Sequence, residues 1–272
     1  MNHCRRHFAS GGGPITMPAP ASVRARKRSI QAMTRDNIYA AGRPGPFAFD
    51  QQVADAFPDM LQRSIPGYAA SIGAIGALAA RFVREGTQCY DLGCSLGAAT
   101  LAMRSNIAVP GCRIVAVDNS PAMIGRCREL VAADRDGDTE VTIIEGDIRE
   151  LEFSNASMVV MNYTLQFLPP GERATMLQKI ADGMFEGGVF VLSEKVVDDD
   201  EKLQAMLVEM HHDFKRRNAY SELEISRKRT ALENVLVPET VPRHLQRLRQ
   251  VGFAHAGVWL RYFNFVSIVA IR

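Results

Sequence analysis

Long apolar runs are missing from this sequence. Its 272 residues contain no apolar stretch of 18 or more, so no membrane-spanning helix is predicted. The N-terminal region also lacks the apolar segment of about 7–15 residues that a secretory signal requires. The sequence therefore favours a protein that neither crosses a membrane nor is secreted.

Cysteine is scarce, and the five cysteines do not form a recognisable pattern. They are odd in number, and none of their close spacings matches a zinc site or a redox pair: Cys4, Cys89, Cys94, Cys112 and Cys127. Cys89 and Cys112 lie in apolar runs that are typical of buried strands. We therefore expect free thiols in a reducing cytoplasm and no bound metal.

Acidic residues are absent from residues 1–32, which hold six basic ones: Arg5, Arg6, Arg24, Arg26, Lys27 and Arg28. The whole chain has 32 basic and 30 acidic residues, so residues 33–272 carry 26 basic against 30 acidic, a net charge of −4. Non-specific nucleic-acid binding depends on neutralising phosphates. A body of this charge is not expected to bind nucleic acid directly.

Residues 1–46 are rich in Gly, Pro, Ala and Arg and show no sustained apolar period. This composition predicts a largely disordered extension and lead-in, followed by a folded domain over residues 47–272. Two alternatives for the basic part are an organellar transit peptide and a start that was set too early, with Met17 or Met33 as the true initiator.

Removal of residues 1–32 tests this division. A chain that begins at Met33 should keep the full melting temperature and ligand affinity, because the deleted residues show no apolar pattern that could join a core. Thermal unfolding and ligand titration measure both quantities. A melting temperature lower by several degrees would show that the deleted residues contribute to the fold.

Short apolar runs alternate with helical stretches through most of the domain. Five runs are predicted as parallel strands and two C-terminal runs as an antiparallel hairpin: residues 89–93, 113–118, 141–147, 158–163 and 189–195, then 257–263 and 265–272. A mainly parallel seven-stranded sheet that ends in such a hairpin is typical of the Rossmann-like class I methyltransferase fold. Residues 197–247 interrupt the pattern and predict a helical insertion over the strand ends, where open α/β sheets bind ligands.

The most distinctive local pattern is CYDLGCSLGAAT, residues 89–100. It predicts a strand that ends at Asp91, a turn with glycines at 93 and 97, and the start of a helix. Glycine allows close approach of a ligand, and the helix start offers free N–H groups. The spacing G-x-S-x-G disfavours a dinucleotide and favours a methionyl and adenosyl ligand, although a tight turn without any ligand remains the alternative.

Polar residues also end the next three predicted strands. Asp118 is placed to accept two ribose hydroxyls, and Asp147 can accept from an adenine amino group while Ile148 packs on the ring. Asn162 ends the fourth strand at the same crevice. Each such residue is more often a turn former or helix cap, but their recurrence at successive strand ends predicts a site.

Eight strings make the sequence similar to the carboxy-S-adenosyl-L-methionine synthase family: FPDMLQRSIPGY, YDLGCSLGAATLA, VDNSPAMI, IEGDIR, LQFL, LSEK, MHHDFKR and YSELEISRKR. The resemblance extends from about Phe47 to Arg272, and the last two strings are the most discriminating. Residues 1–32 have no counterpart in it. It implies a class I fold and S-adenosylmethionine as a substrate.

The resemblance also implies ligand contacts at ten positions: Tyr68, Gly93, Cys94, Ser95, Asp118, Asn119, Asp147, Ile148, Asn162 and Arg229. Arg229 is the informative one, because a cationic sulfonium would repel an arginine beside its methyl group. A transferred group that bears a carboxylate would instead bind it bidentately. Without the resemblance, Arg229 would be interpreted as part of a solvated helix face.

By resemblance, S-adenosylmethionine and prephenate give carboxy-S-adenosylmethionine and phenylpyruvate, and the product supplies wobble-uridine modification of tRNA. No side chain is assigned as a general acid or base, and the expected state is a homodimer joined through the helical insertion. Arg63 and Lys228 are further candidates for binding prephenate. The alternatives are an ordinary methyltransferase and a non-catalytic S-adenosylmethionine-binding partner of a tRNA-modifying complex.

Adjacent histidines, His211 and His212, invite a metal or general-base interpretation. Neighbouring side chains on a helix point about 100° apart, so both cannot face one site. We therefore expect a structural role for one of them.

Overall fold

The computed structural model describes residues 34–40, 42–43, 45–233 and 235–272. The predictions about residues 1–32, their disorder and their dispensability, lie outside this part of the chain. The strands are β1 Gln88–Leu92, β2 Arg113–Asp118, β3 Glu140–Glu145, β4 Ala156–Asn162, β5 Met184–Val197, β6 Glu239–Thr240, β7 His255–Tyr262 and β8 Phe265–Ile271. The helices are α1 Gln51–Ser64, α2 Tyr68–Phe82, α3 Ala98–Arg104, α4 Pro121–Ala133, α5 Arg173–Gly183, α6 Glu201–Arg217, α7 Glu222–Leu232 and α8 Val241–Gln250.

The sheet has the order β3-β2-β1-β4-β5-β8-β7. Strands β1 to β5 are parallel, whereas β8 pairs antiparallel with both β5 and β7. The predicted class I methyltransferase fold, with a seven-stranded sheet and a C-terminal antiparallel hairpin, is confirmed. An eighth strand, β6, pairs with the end of β5 and is too short, at two residues, to leave a sequence pattern.

Several helices begin where the sequence supplies a capping side chain. Asp50, Ser120, Asp200, Ser221 and Thr240 each accept a hydrogen bond from a main-chain N–H in the first turn of the helix that follows. Such caps satisfy donors that have no partner within the helix, and each typically contributes about 1 kcal/mol. Together they set where the helices start relative to the strand ends.

Apolar layers cover both faces of the sheet. On one face α5 and α8 pack their buried Leu177, Ile180 and Leu248 against Phe190 of β5. On the other face α2 and α3 supply Ile75, Ala79 and Met103, which pack against buried strand residues such as Ile114 and Val160. Because each fully buried aliphatic side chain contributes roughly 1.5–3 kcal/mol, these layers fix the sheet and therefore its polar edge.

Part of the lead-in that the sequence predicts to be largely disordered is packed into the fold. Asp36, Ile38 and Tyr39 are buried, and the two apolar side chains join a cluster formed with α1, α4 and α7. Three residues are too few to show an apolar period, so the sequence carries no signal for this packing. This packing depends on contacts with residues that are distant in the sequence.

Helices α6 and α7 lie within the predicted insertion, residues 197–247, and α8 begins within it and ends three residues beyond it, at Gln250. Helix α6 contacts α1 and α7, and Leu248 of α8 is fully buried in the layer described above. The buried Arg173 of α5 ties β6 to this region through an ion pair with Glu239 at 2.6 Å. Within the described residues, no helix is both long and apolar enough to cross a membrane.

Candidate functional site

The glycine-rich turn between β1 and α3 is clamped between two neighbouring strands. The main-chain N–H groups of Gly93 and Cys94 both donate to the carbonyl of Val117, at 2.8 and 2.9 Å. A Cβ at Gly93, whose φ is 75°, would lie 2.4 Å from the hydroxyl of Thr164. Only glycine fits there, because that hydroxyl also donates to the carbonyl of Leu92 at 2.7 Å.

Asp91 connects the end of β1 to the first turn of α3, on the other side of the glycine-rich turn. Its buried carboxylate accepts from the main-chain N–H of Thr100 at 2.9 Å and from the Thr100 hydroxyl at 2.6 Å. Burial raises the pKa of Asp91 to about 6 even though these hydrogen bonds oppose the shift. This residue therefore fixes the start of α3.

Asp118 joins the turn to the end of β2. One carboxylate oxygen accepts from the N–H of Ser95 at 2.9 Å and the other from the N–H of Ser120 at 2.9 Å. Burial raises the pKa of Asp118, and these N–H groups counteract it. Each carboxylate oxygen keeps a second acceptor position, so the side chain can still receive two hydroxyl groups. The adjacent Asn119 is exposed.

The end of β3 departs from the simple expectation for adenine binding. Asp147 is held by the guanidinium of Arg149, with contacts of 2.5 to 3.0 Å, and this hydrogen bonding lowers the pKa of Asp147. Ile148 is buried within the larger apolar layer. Arg149 also pairs with Glu172 at 2.7 Å, so Asp147 belongs to an exposed charge network.

The end of β4 places three polar side chains together. The side-chain oxygen of Asn162 is buried and has no hydrogen-bond partner in the described part of the chain. Tyr163 follows in a left-handed conformation, with φ 64°, and its ring lies 6.0 Å from that of Phe265. Tyr68 lies at the start of α2. Burial raises the pKa of Tyr68, and the negative charge of the nearby Asp91 raises it further. Tyr68 in turn raises the pKa of Tyr163, after burial.

The structure thus brings most of the predicted residues to one edge. Because β3, β2, β1, β4 and β5 are parallel neighbours, their carboxyl ends meet there. The polar residues at or next to these ends are Asp147, Asp118, the 93–95 turn, Asn162 and, two residues before the end of β5, Lys195. Ile148 is the predicted residue whose side chain is committed to the core.

Arg229 reaches the same edge from the insertion. It lies in the last turn of α7 and is exposed, and its guanidinium has no ion-pair or hydrogen-bond partner among residues 34–40, 42–43, 45–233 and 235–272. After burial, its positive charge is the influence that lowers the pKa of Lys195. The guanidinium is therefore near the end of β5, two strands from the glycine-rich turn.

Arg63 and Lys228, the other two candidates for binding prephenate, form hydrogen bonds within the fold. Arg63 donates to the carbonyls of Asp36, Asn218 and Ala219 at 2.7 to 2.9 Å. Lys228 is buried and donates to Ser64 at 3.1 Å and to the carboxylate of Asp36 at 3.4 Å. Their donor groups are used to connect the lead-in, α1 and α7.

His211 has the expected structural role. Its Nε2–H donates to the carbonyl of Ser64 at 2.9 Å, and burial lowers its pKa to about 2, so the ring is neutral. The ring of His212 lies 6.3 Å away and is only partly buried. In the described residues no group of three His, Cys, Asp or Glu side chains could hold a metal ion.

Three charged residues near this edge carry no clear signal in the sequence: Glu194 and Lys215, which are buried, and Lys195, which is partly buried. Lys195 and Lys215 are cations, and Glu194 is a fully buried carboxyl whose pKa burial raises well above its usual range. Successive strand residues point to opposite faces, so Glu194 and Lys195 face different layers. The alternation in LSEK was the only available signal, and it does not reveal burial.

Similarity to known proteins agrees with this geometry. A match to a methyltransferase domain family covers residues 90–188. A carboxy-S-adenosyl-L-methionine synthase from Klebsiella pneumoniae (strain 342) is 54% identical over 240 residues, which are 88% of this chain and 97% of that protein. A protein of the same name from Escherichia fergusonii is 55% identical with the same coverage. The chain belongs to the carboxy-S-adenosyl-L-methionine synthase family.

Membership in this family makes the protein a transferase. The fold is shared more widely: human N-acetylserotonin methyltransferase, solved in complex with SAM, matches with a TM-score of 0.57 at 16% identity. That match covers 82% of this chain and 55% of the human one. The methyltransferase domain match includes the turn and Asn162 but neither Tyr68 nor Arg229, which lie outside residues 90–188.

Proposed function

We propose that this protein converts S-adenosylmethionine and prephenate into carboxy-S-adenosylmethionine and phenylpyruvate. The observation that carries the proposal is Arg229, a cation without a partner in the described chain, brought by α7 to the ligand edge of the sheet. S-adenosylmethionine is itself cationic, so an arginine there needs an anionic group that an ordinary methyl transfer does not provide. A carboxylate on the transferred group supplies that anion.

The residues present fit S-adenosylmethionine. The orphaned side-chain oxygen of Asn162 offers an acceptor, and Asp118 keeps acceptor positions for ribose hydroxyls. A side chain at position 93 would collide with Thr164, so the glycine there allows the tight turn that carries Cys94 and Ser95. Asn119, Cys94 and Ser95 complete the proposed adenosyl and methionyl contacts, and Tyr68 closes the pocket from α2.

In the proposed reaction, prephenate loses carbon dioxide and hydroxide as it aromatises. The S-methyl carbon of S-adenosylmethionine loses a proton and forms a bond to that carbon dioxide. The protein's contribution is to position the two substrates and exclude water, since free carbon dioxide would be lost to solvent. Arg229 binds the new carboxylate. No side chain is assigned the role of base, because the hydroxide released by prephenate accepts the proton; the neutral His211 is committed to Ser64.

Incubation with S-adenosylmethionine, with and without prephenate, tests the proposal by mass spectrometry. The expected result is a product heavier by one carboxyl group that forms only when prephenate is present. Formation of S-adenosylhomocysteine with an added acceptor would instead indicate an ordinary methyltransferase. Tight binding without turnover would indicate a non-catalytic partner protein.

The product is proposed to supply the carboxymethyl group for wobble-uridine modification of tRNA in the cytoplasm. Residues 33–272 carry a net charge of −4, which supports delivery of a small molecule to another enzyme over direct tRNA binding. The protein's own partners are then its two small substrates and a second copy of itself.

The homodimer contact is proposed to involve an apolar stripe on α6. Leu203, Met206 and Met210 are 38, 50 and 39% exposed and lie on one face of the helix. Met206→Glu should convert the dimer to a monomer, because a charge at the centre of an apolar contact must be desolvated. Light scattering coupled to size exclusion measures the change, and Val109→Glu, at a similarly exposed site, is the control. A dimeric Met206→Glu protein would contradict this contact.

A further inference from the structure

Two lysines near the ligand edge have ammonium groups without a partner among the residues that the structure describes. Lys215 of α6 is only 8% exposed and Lys195 of β5 is partly buried. Neither ammonium has a hydrogen-bond or ion-pair partner in the described chain, yet neither is sealed from solvent. A buried lysine without a partner is costly, so it calls for a functional explanation.

Asp36, the carboxylate whose charge acts on Lys215, already has donors of its own. Asp36 accepts from the Tyr220 hydroxyl, from Lys228 at 3.4 Å and from the N–H of Ile38 at 3.4 Å. Lys228 is therefore compensated, whereas Lys195 and Lys215 are not. The histidines that face them, His211 and His212, bring no negative charge.

A series of contacts places both lysines beside the proposed substrate pocket. Lys195 pairs with Phe265 in the sheet, and the Phe265 ring lies 4.8 Å from that of His211 and 6.0 Å from that of Tyr163. Lys215 lies one turn after His211 on α6, so it projects from the same face. The lysines thus border the space between α6, β5 and the end of β4.

The mutual repulsion of the cations supports this arrangement. Burial first, and then the charges of Lys228 and Lys195, lower the pKa of Lys215 to about 7. Burial also lowers the pKa of Lys195, followed by the charge of Arg229. A positive field that a bound anion would relieve is therefore concentrated in the region bordered by Lys195, Lys215 and Arg229. The charged groups of these three residues have no partner in the described ranges of the chain.

We propose that Lys195 and Lys215 bind a carboxylate of the second substrate, which the proposed function identifies as prephenate. This inference rests on that function for the substrate's identity but on the two unpaired ammonium groups for the subsite. Prephenate carries two carboxylates, one of which leaves as carbon dioxide. The lysines hold the carboxylate that is retained in phenylpyruvate, and Arg229 stays available for the carboxylate that is transferred.

Lys195→Met and Lys215→Met test the subsite, because methionine keeps much of the apolar stem and removes the charge. Each variant should raise the KM for prephenate about 10- to 100-fold, as expected for the loss of a charged hydrogen bond. The Kd for S-adenosylmethionine should stay within about twofold. The melting temperature of Lys215→Met should be unchanged or higher, because an uncompensated buried charge has been removed.

Conservative and remote variants complete the design. Lys195→Arg keeps the charge and should recover most of the affinity, whereas Lys202→Met, at an exposed position of α6, should behave as wild type. Titration of prephenate into the protein saturated with S-adenosylhomocysteine, which lacks the reacting S-methyl group, separates binding at the subsite from the reaction. Wild-type protein that binds prephenate without turnover would contradict the proposed function alone. Methionine variants that bind prephenate with wild-type affinity, or wild-type protein that does not bind it, would overturn the subsite.

Discussion

Arg229→Ala is expected to lower the affinity for carboxy-S-adenosylmethionine about 30- to 150-fold, a loss of roughly 2–3 kcal/mol. Binding of S-adenosylmethionine should change less than about twofold, because that ligand lacks the carboxylate. We expect the lower part of the range that is typical of truncated charge pairs, since Arg229 is exposed. Isothermal titration with both ligands measures the difference.

Arg229→Lys and Arg227→Ala serve as controls for this experiment. Lysine should recover only part of the lost affinity, because an ammonium cannot reproduce the bidentate geometry of a guanidinium. Arg227 lies on the same helix but donates to the carbonyls of Tyr39 and Ala40, so its loss should affect stability more than ligand selectivity. Equal losses for both ligands in Arg229→Ala would mean that Arg229 supports the fold or binds the methionyl group, and the carboxylate role would fail.

Asp118→Ala should weaken binding of S-adenosylmethionine by roughly 2–4 kcal/mol, or about 30- to 900-fold. Two effects combine in this variant. The ribose hydroxyls lose their acceptor, and the N–H groups of Ser95 and Ser120 lose theirs, which loosens the glycine-rich turn. Titration of the variant measures the sum of both effects.

Asp118→Asn separates the two contributions. The amide keeps one oxygen acceptor and the shape of the side chain, so it should retain one of the two turn contacts and lose less affinity. The melting temperature of each variant without ligand reports the loosening of the turn independently. An unchanged Kd in Asp118→Ala would place Asp118 outside the pocket.

The sequence predicted the sheet and the positions of its strand ends because both depend on local pattern. The span predicted for β2 matches the observed strand from Arg113 to Asp118, since its apolar run is bounded by polar residues on both sides. Parallel topology then brings the strand ends to one edge, and for this reason Asp118, Asn162 and the 93–95 turn could be grouped without coordinates. Their grouping follows from a geometric rule and needs no contact information.

Other features of the site depend on contacts between residues that are distant in the chain. Asp147 forms an ion pair with Arg149, which is only two residues away. Whether the carboxylate pairs with it or stays free depends on side-chain geometry, which the sequence does not specify. The burial of Lys215 depends on how α6 packs against α1, which its helical period does not specify. Sequence pattern assigns a lysine to a solvated face by default, so the unpaired cations could not be anticipated.

The ion pair between Asp36 and Lys228 joins residues that are 192 positions apart. During synthesis at about 5–20 residues per second, Asp36 leaves the ribosome roughly 10–40 s before Lys228 does. Throughout that interval the carboxylate lacks its ammonium partner and Tyr220, so the lead-in cannot take its final place. Packing of the lead-in against α7 is therefore a late event in folding, because it requires both the N-terminal and the C-terminal parts of the domain.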